Sequence, residues 1–120
     1  MDNAEVFRSY LERFTRGDVE GAAEMLAEGF TFKGPILEST GKADFLVGSA
    51  SAAVMARGCE ILRQWVDGDT VCSIYDFKIE TPQRAGSIPM AEWSVIEGGK
   101  MVSSRLIFDT AEMRALMPPA

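Results

Sequence analysis

The stretch IPMAEWSVIEGGKMVSSRLIFD, residues 88–109, decides the fold. Its two halves, 88–97 and 100–109, are rich in β-branched and aromatic residues, and Gly98-Gly99 between them signals a two-residue hairpin turn. The same arrangement occurs one hairpin earlier, where residues 59–66 and 69–80 meet at Asp67-Gly68. A polar segment, 81–87, carries Pro82 and Gly86 and reads as the loop joining the hairpins. The C-terminal half is therefore antiparallel sheet, followed by a short turn over 111–117 that Pro118-Pro119 closes.

Upstream of residue 59 the apolar period changes from two to that of a helix. Asp2 or Asn3 can cap a first helix whose stripe is Val6, Phe7, Tyr10, Leu11 and Phe14 at i, i+3, i+4 spacing. Gly17 ends it, and Asp18 caps a second helix with Val19, Ala22, Ala23, Met25 and Leu26 on its core face. Phe30-Thr31-Phe32 alternates as a short strand that stops at Gly34-Pro35. Residues 41–56 read as a third helix with Phe45, Leu46, Ala53 and Val54 inward. Three helices followed by a sheet define an α+β fold, and neither repeat nor linker divides residues 1–120, which form one domain.

Composition narrows the function. At 120 residues, with 47% hydrophobic and 25% charged residues, the chain is globular and long enough to bury roughly two thirds of its unfolded surface. The net charge is −6 and the cations are scattered, so nucleic acid is not an expected partner. No apolar run approaches the roughly 20 residues that span a bilayer, so no membrane partner is expected. The acidic N-terminus is unlike a secretory signal, which leads to the expectation of a cytoplasmic protein with Cys59 and Cys72 as reduced thiols. Histidine is absent, which removes serine–histidine and cysteine–histidine catalysis and most transition-metal sites. No metal or cofactor is expected, and proton chemistry falls to carboxylates, tyrosine, lysine or arginine.

Tyr10-Leu11, Arg16-Gly17-Asp18-Val19 and Phe30-Thr31-Phe32 together resemble the opening of NTF2-like proteins. Glu92-Trp93, Gly98-Gly99-Lys100-Met101 and Phe108-Asp109 resemble the closing hairpin of their SnoaL-like and ketosteroid isomerase-like members. The resemblance spans nearly the whole chain. It implies a cone in which three N-terminal helices pack on a strongly curved, mixed but mostly antiparallel sheet around an apolar cavity. It does not fix an activity, because this scaffold hosts both enzymes and binding modules. Tyr10 matches the oxyanion-hole tyrosine of ketosteroid isomerases, but Gly34 stands where they place the general base and Ala91 where they place a second oxyanion acid. Leu106 stands at an essential aspartate of limonene epoxide hydrolases, which argues against epoxide opening.

A two-residue turn pairs Ala91 with Leu106, Trp93 with Ser104, and Val95 with Val102, and the resemblance implies that this face lines the cavity. Glu92 then lies outside opposite Arg105, beside Met90, Ser94 and Ile107, as a cross-strand ion pair. A slip of one residue would reverse both faces. The same alignment places Cys72, Ile74 and Asp76 inward. Asp76 has three readings: a desolvated acid or base, a solvated or hydrogen-bonded rim residue, or an outward residue with Tyr75 and Phe77 inward. Tyr10 is a core residue with a polar tip or a hydroxyl donor to a ligand.

The expected function is binding of a small hydrophobic molecule, with Phe14, Phe30, Phe32, Phe45, Ile74, Trp93, Ser104, Leu106 and Phe108 as lining. One alternative is an isomerase, cyclase or dehydratase using Asp76 as acid or base and Tyr10 as oxyanion donor. Another is a non-catalytic dimerisation module. In each case a homodimer is expected through the outer sheet face, with Glu60, Tyr75, Phe77, Met90, Glu92, Arg105 and Ile107 in the interface.

Overall fold

A computed structural model describes residues 1–117; the Pro118-Pro119 stop lies outside the described residues. Asp2 caps α1 (Asn3–Thr15) by accepting a hydrogen bond from the Glu5 amide at 2.8 Å. Val6, Phe7, Tyr10, Leu11 and Phe14 are all buried, so the stripe seen in the sequence is the buried face. Gly17, at φ 86°, turns the chain. Its amide and that of Asp18 reach back to the Phe14 and Arg13 carbonyls, the paired bonds of a Schellman stop. Asp18 then caps the short α2 (Val19–Ala23).

Residues 41–56 do not form one helix. They divide at Ser49 into α3 (Lys42–Gly48) and α4 (Ala50–Met55). Gly48 packs against Leu37, where an added Cβ would lie 2.7 Å from a Leu37 methyl. That close approach and glycine's weak helix propensity account for the break.

Six strands form one sheet in the order β2-β1-β6-β5-β4-β3, with β1 parallel to β6 and every other pair antiparallel. They are β1 (Leu26–Lys33), β2 (Glu38–Thr40), β3 (Ala56–Asp67), β4 (Thr70–Glu80), β5 (Ala85–Glu97) and β6 (Lys100–Phe108). Leu26 thus begins a strand and does not complete α2, and the β1–β2 hairpin adds a strand the sequence reading lacked. Irregular register in β1–β6, β3–β4 and β5–β6 bends the sheet around the helices. α5 (Thr110–Leu116) closes the described chain, capped by Asp109, which accepts from the Ala111 amide at 2.8 Å.

The β5–β6 hairpin corrects the sequence reading. Gly98 and Gly99 both have positive φ, and Glu97 pairs with Lys100 and Ile96 with Met101, as a two-residue turn requires. The register then shifts: Val95 faces Ser103, and Val102 is passed over. This bulge inverts β5 relative to the expectation. Trp93, 45% exposed, lies outside opposite Arg105, while Glu92, 3% exposed, lies inside opposite Leu106. The expected Glu92–Arg105 ion pair does not form. On β6 the expected inward residues Ser104, Leu106 and Phe108 keep their face, because the bulge absorbs the parity change.

On β4 the third reading of Asp76 holds. Val71, Ser73, Tyr75, Phe77 and Ile79 are buried, and the alternate set Cys72, Ile74, Asp76, Lys78 and Glu80 faces the other way. Asp76 pairs with Glu60 and Pro89 outside the cavity.

Candidate functional site

Helix α1, the β1 end, α3, α4 and the inner sheet face enclose a cavity of about 200 Å³. Its walls are mostly apolar, among them Leu11, Phe14, Phe32, Phe45, Leu106 and Phe108. Its ionisable lining residues are Tyr10, Tyr75 and Glu92. Larger depressions exist elsewhere on the surface, but they are more open and lack a buried acid. Among the described residues, no cluster of acids and cysteines could hold a metal ion.

Glu92 reaches this site from β5 and is held at both oxygens. The Tyr75 hydroxyl donates to Oε1 at 2.6 Å, and the Ser104 hydroxyl donates to Oε2 at 2.5 Å. Ser104 Oγ lies 2.8 Å from Ser94 Oγ, extending a line of hydroxyls along the inner sheet face. Burial pushes the Glu92 carboxyl above its ordinary value, while the bonds from Ser104 and Tyr75 oppose that shift. The network suits either protonation state. An ionised Glu92 accepts from both neighbours; a protonated one donates from Oε2 to Ser104, whose proton turns to Ser94.

Tyr10 and Tyr75 are both pushed well above the usual phenol range, first by burial and next by the Glu92 charge. Both therefore remain neutral donors at physiological pH. Tyr75 spends its proton on Glu92. Tyr10 packs on α1 between Phe7 and Phe14, with ring centroids 6.0 Å away on each side. Its hydroxyl has no hydrogen-bond partner among the described residues. The cavity thus offers one free donor beside one desolvated carboxyl.

Of the residues singled out in the sequence, Tyr10, Phe14, Phe32, Phe45, Leu106 and Phe108 lie on the cavity wall. Ser104 acts through Glu92. Phe30 is fully buried behind the wall, with its ring edge-on to Phe45 at 5.2 Å. Ile74 and Trp93 face outward, as does Asp76. The sequence reading named neither Tyr75 nor Glu92 as a site residue: it placed Glu92 on the outer face and left open whether Tyr75 turned inward. Gly34 borders the cavity, where an added Cβ would meet Phe32 at 3.1 Å, so the position of the isomerase base holds no side chain here.

A cavity between an N-terminal helical layer and a bent six-stranded sheet defines the NTF2-like, ketosteroid isomerase-like class of α+β domains. The chain belongs to the SnoaL-like domain family, which matches residues 7–104. Among solved structures it is similar to an NTF2-like protein of unknown function from Burkholderia pseudomallei, with 18% identity, 99% of each chain covered and a TM-score of 0.84. It is also similar to a protein with a ketosteroid isomerase-like fold from Catenulispora acidiphila, in complex with trimethylamine, at 15% identity, TM-score 0.83 and 93% and 91% coverage of this chain and that one. TerC co-crystallised with polyporic acid matches at 16% identity, TM-score 0.82, covering 97% and 98%. Among curated proteins, none matches.

Proposed function

We propose that this domain binds a compact, mainly apolar molecule whose carbonyl or hydroxyl oxygen accepts a hydrogen bond from Tyr10 and faces the Glu92 carboxyl. The observation that carries this reading is the unpartnered Tyr10 hydroxyl beside a buried acid in an otherwise apolar cavity. At about 200 Å³ the cavity suits a ligand smaller than those filling the usual ~300–1,000 Å³ sites. Ligands held by two structurally similar proteins, trimethylamine and polyporic acid, support a binding role for the scaffold.

Phenol and 2-cyclohexenone are suitable probes by calorimetry. Tyr10→Phe is expected to weaken their binding about three- to tenfold, the loss of one neutral hydrogen bond. Asp76→Asn, on the opposite sheet face, is expected to leave it unchanged. Equal affinities for wild type and Tyr10→Phe would sink the proposal.

One observation favours an enzymatic reading as well. Glu92 has an elevated carboxyl and a hydroxyl relay through Ser104 to Ser94, a combination suited to moving a proton at a carbonyl ligand. The cavity lining holds no second acid to share the work of acid and base, so an isomerase mechanism with separate groups is not built here. Deuterium exchange at the α-carbon of bound 2-cyclohexenone, lost in Glu92→Gln, would establish this activity.

We also propose a homodimer through the outer sheet face, with a membership corrected by the observed register. Tyr75, Phe77, Met90 and Glu92 are buried inside, and the outer face instead presents Trp65, Trp93 and Ile107, 49%, 45% and 53% exposed. Arg63 lies over Trp65 at 5.4 Å and Arg105 over Trp93 at 5.6 Å, giving an amphipathic patch in place of a solvated one. Sedimentation at micromolar concentration should show a dimer that Trp93→Asp converts to monomer. A wild-type monomer would refute the assignment.

A further inference from the structure

Away from the central cavity, two surface depressions run together beside the C-terminal end of α1. One, of about 770 Å³, has an apolar lining of Val19, Leu46 and Ala53, with Val54, 75% exposed and not inward as its helical spacing suggested, at the rim. The other, of about 460 Å³, gathers Arg8, Arg16, Arg57 and Lys78. They share Thr15, Arg16, Arg57 and Gly58, so the apolar trough opens directly onto the cationic one.

The cations have little to neutralise them. Glu12 lines the same depression and lies 3.4 Å from Arg16, and Glu80 lies 3.6 Å from Arg57. Arg8 donates to the Gln64 side chain, and Lys78 has no ion pair among the described residues. Four cations therefore meet two acids, in a chain that has 12 basic and 18 acidic residues overall. Arg57 is also fixed in place, since one of its terminal nitrogens donates to the Val54 and Ala56 carbonyls at 2.8 Å each. A guanidinium anchored this way on its backbone side loses little further freedom when an anion docks. Ser49, 5% exposed, lines both this trough and the central cavity and so marks the wall between them.

We propose that this groove is a second ligand site, separate from the central cavity, for a small amphiphilic anion. A phosphate or carboxylate head sits among Arg16, Arg57 and Lys78, where fork-shaped guanidinium donors suit either group. A short alkyl chain lies along Val19, Leu46 and Ala53, with Ser49 at its side.

Amide NMR with octyl phosphate, octanoate, octanol and inorganic phosphate, all below micelle concentration, tests the site. Octyl phosphate or octanoate should produce saturable shifts at Gly17, Ala50 and Gly58, with octanol and inorganic phosphate each at least about tenfold weaker. Arg16→Glu with Lys78→Glu should weaken anion binding by about tenfold or more. Arg16 has a side chain 73% exposed and Lys78 is exposed, so this variant is expected to fold. Val54→Asp separately tests the tail-binding end. Shifts centred on Met90, Glu92 and Leu106 would assign the ligand to the central cavity and overturn the proposal. So would octanol binding as tightly as octyl phosphate, or an affinity unaffected by the charge reversals.

Discussion

Phe30→Ala is expected to cost about 3–5 kcal/mol of stability, the usual range for emptying a buried phenylalanine site. Phe30 is fully buried on β1, edge-on to Phe45 at 5.2 Å and 6.5 Å from Phe32. Phe45 in turn meets Phe32 at 5.0 Å and Tyr10 at 6.4 Å, so the vacated space lies where α3 packs on the sheet. For a domain of this size the melting temperature should fall on the order of 10–20 °C. Phe108→Ala, at a partly buried position on the wall of the cavity, should cost clearly less. Comparable melting temperatures for the two variants would contradict the division between core and lining.

The second large effect concerns the pH dependence of stability at Glu92. Its carboxyl is raised in the folded chain above the ordinary 4.5, so between those two values the native state keeps a proton that the unfolded state has released. The protonated form's stabilising share is full below the ordinary value and is lost as pH rises through the folded one. Glu92→Gln mimics the protonated acid: its carbonyl accepts from Tyr75 and its amide donates to Ser104. The variant should match wild type near pH 4 and become the more stable protein as pH increases. Tyr75→Phe should act in the opposite sense. It leaves one Glu92 oxygen without its buried donor, at a cost of about 1–3 kcal/mol, and removes a bond that holds the carboxyl down. Thermal melts of the three proteins from pH 4 to 9 would show both effects. Parallel curves for wild type and Glu92→Gln would mean that the acid is not desolvated.

The fold was legible because its signals are local. Asp2, Gly17, Asp18 and the Gly98-Gly99 turn each act within a few residues of themselves. The α1 stripe likewise repeats at helical spacing and is buried as a unit. The site was harder to read because a single bulge at Val102 decides which face of β5 turns inward, and bulges carry no strong sequence mark. Weaker clues to strand polarity were nevertheless present. On β4, Asp76 shares its parity with Lys78 and Glu80, whereas Tyr75 shares its own with Val71, Phe77 and Ile79. On β5, Trp93 shares its parity with Glu97, which faces Lys100 at the exposed hairpin end, while Glu92 aligns with Ile88, Met90 and Ile96. Charged strand ends mark the faces of β4 and β5 more reliably than register counted from the turn, which the bulge shifts. The break at Ser49 between α3 and α4 depended on the contact of Leu37 with Gly48, a tertiary effect beyond any helical period.

These features converge on Glu92 as a buried acid held by Tyr75 and Ser104 within the cavity. The most direct test is a carbon-13 NMR titration of its side-chain carboxyl, assigned by comparison with Glu92→Gln. The account predicts a midpoint above that of the exposed glutamates and a further rise in Tyr75→Phe. A Glu92 that titrates together with the surface carboxylates, unmoved by loss of the Tyr75 hydroxyl, would contradict it.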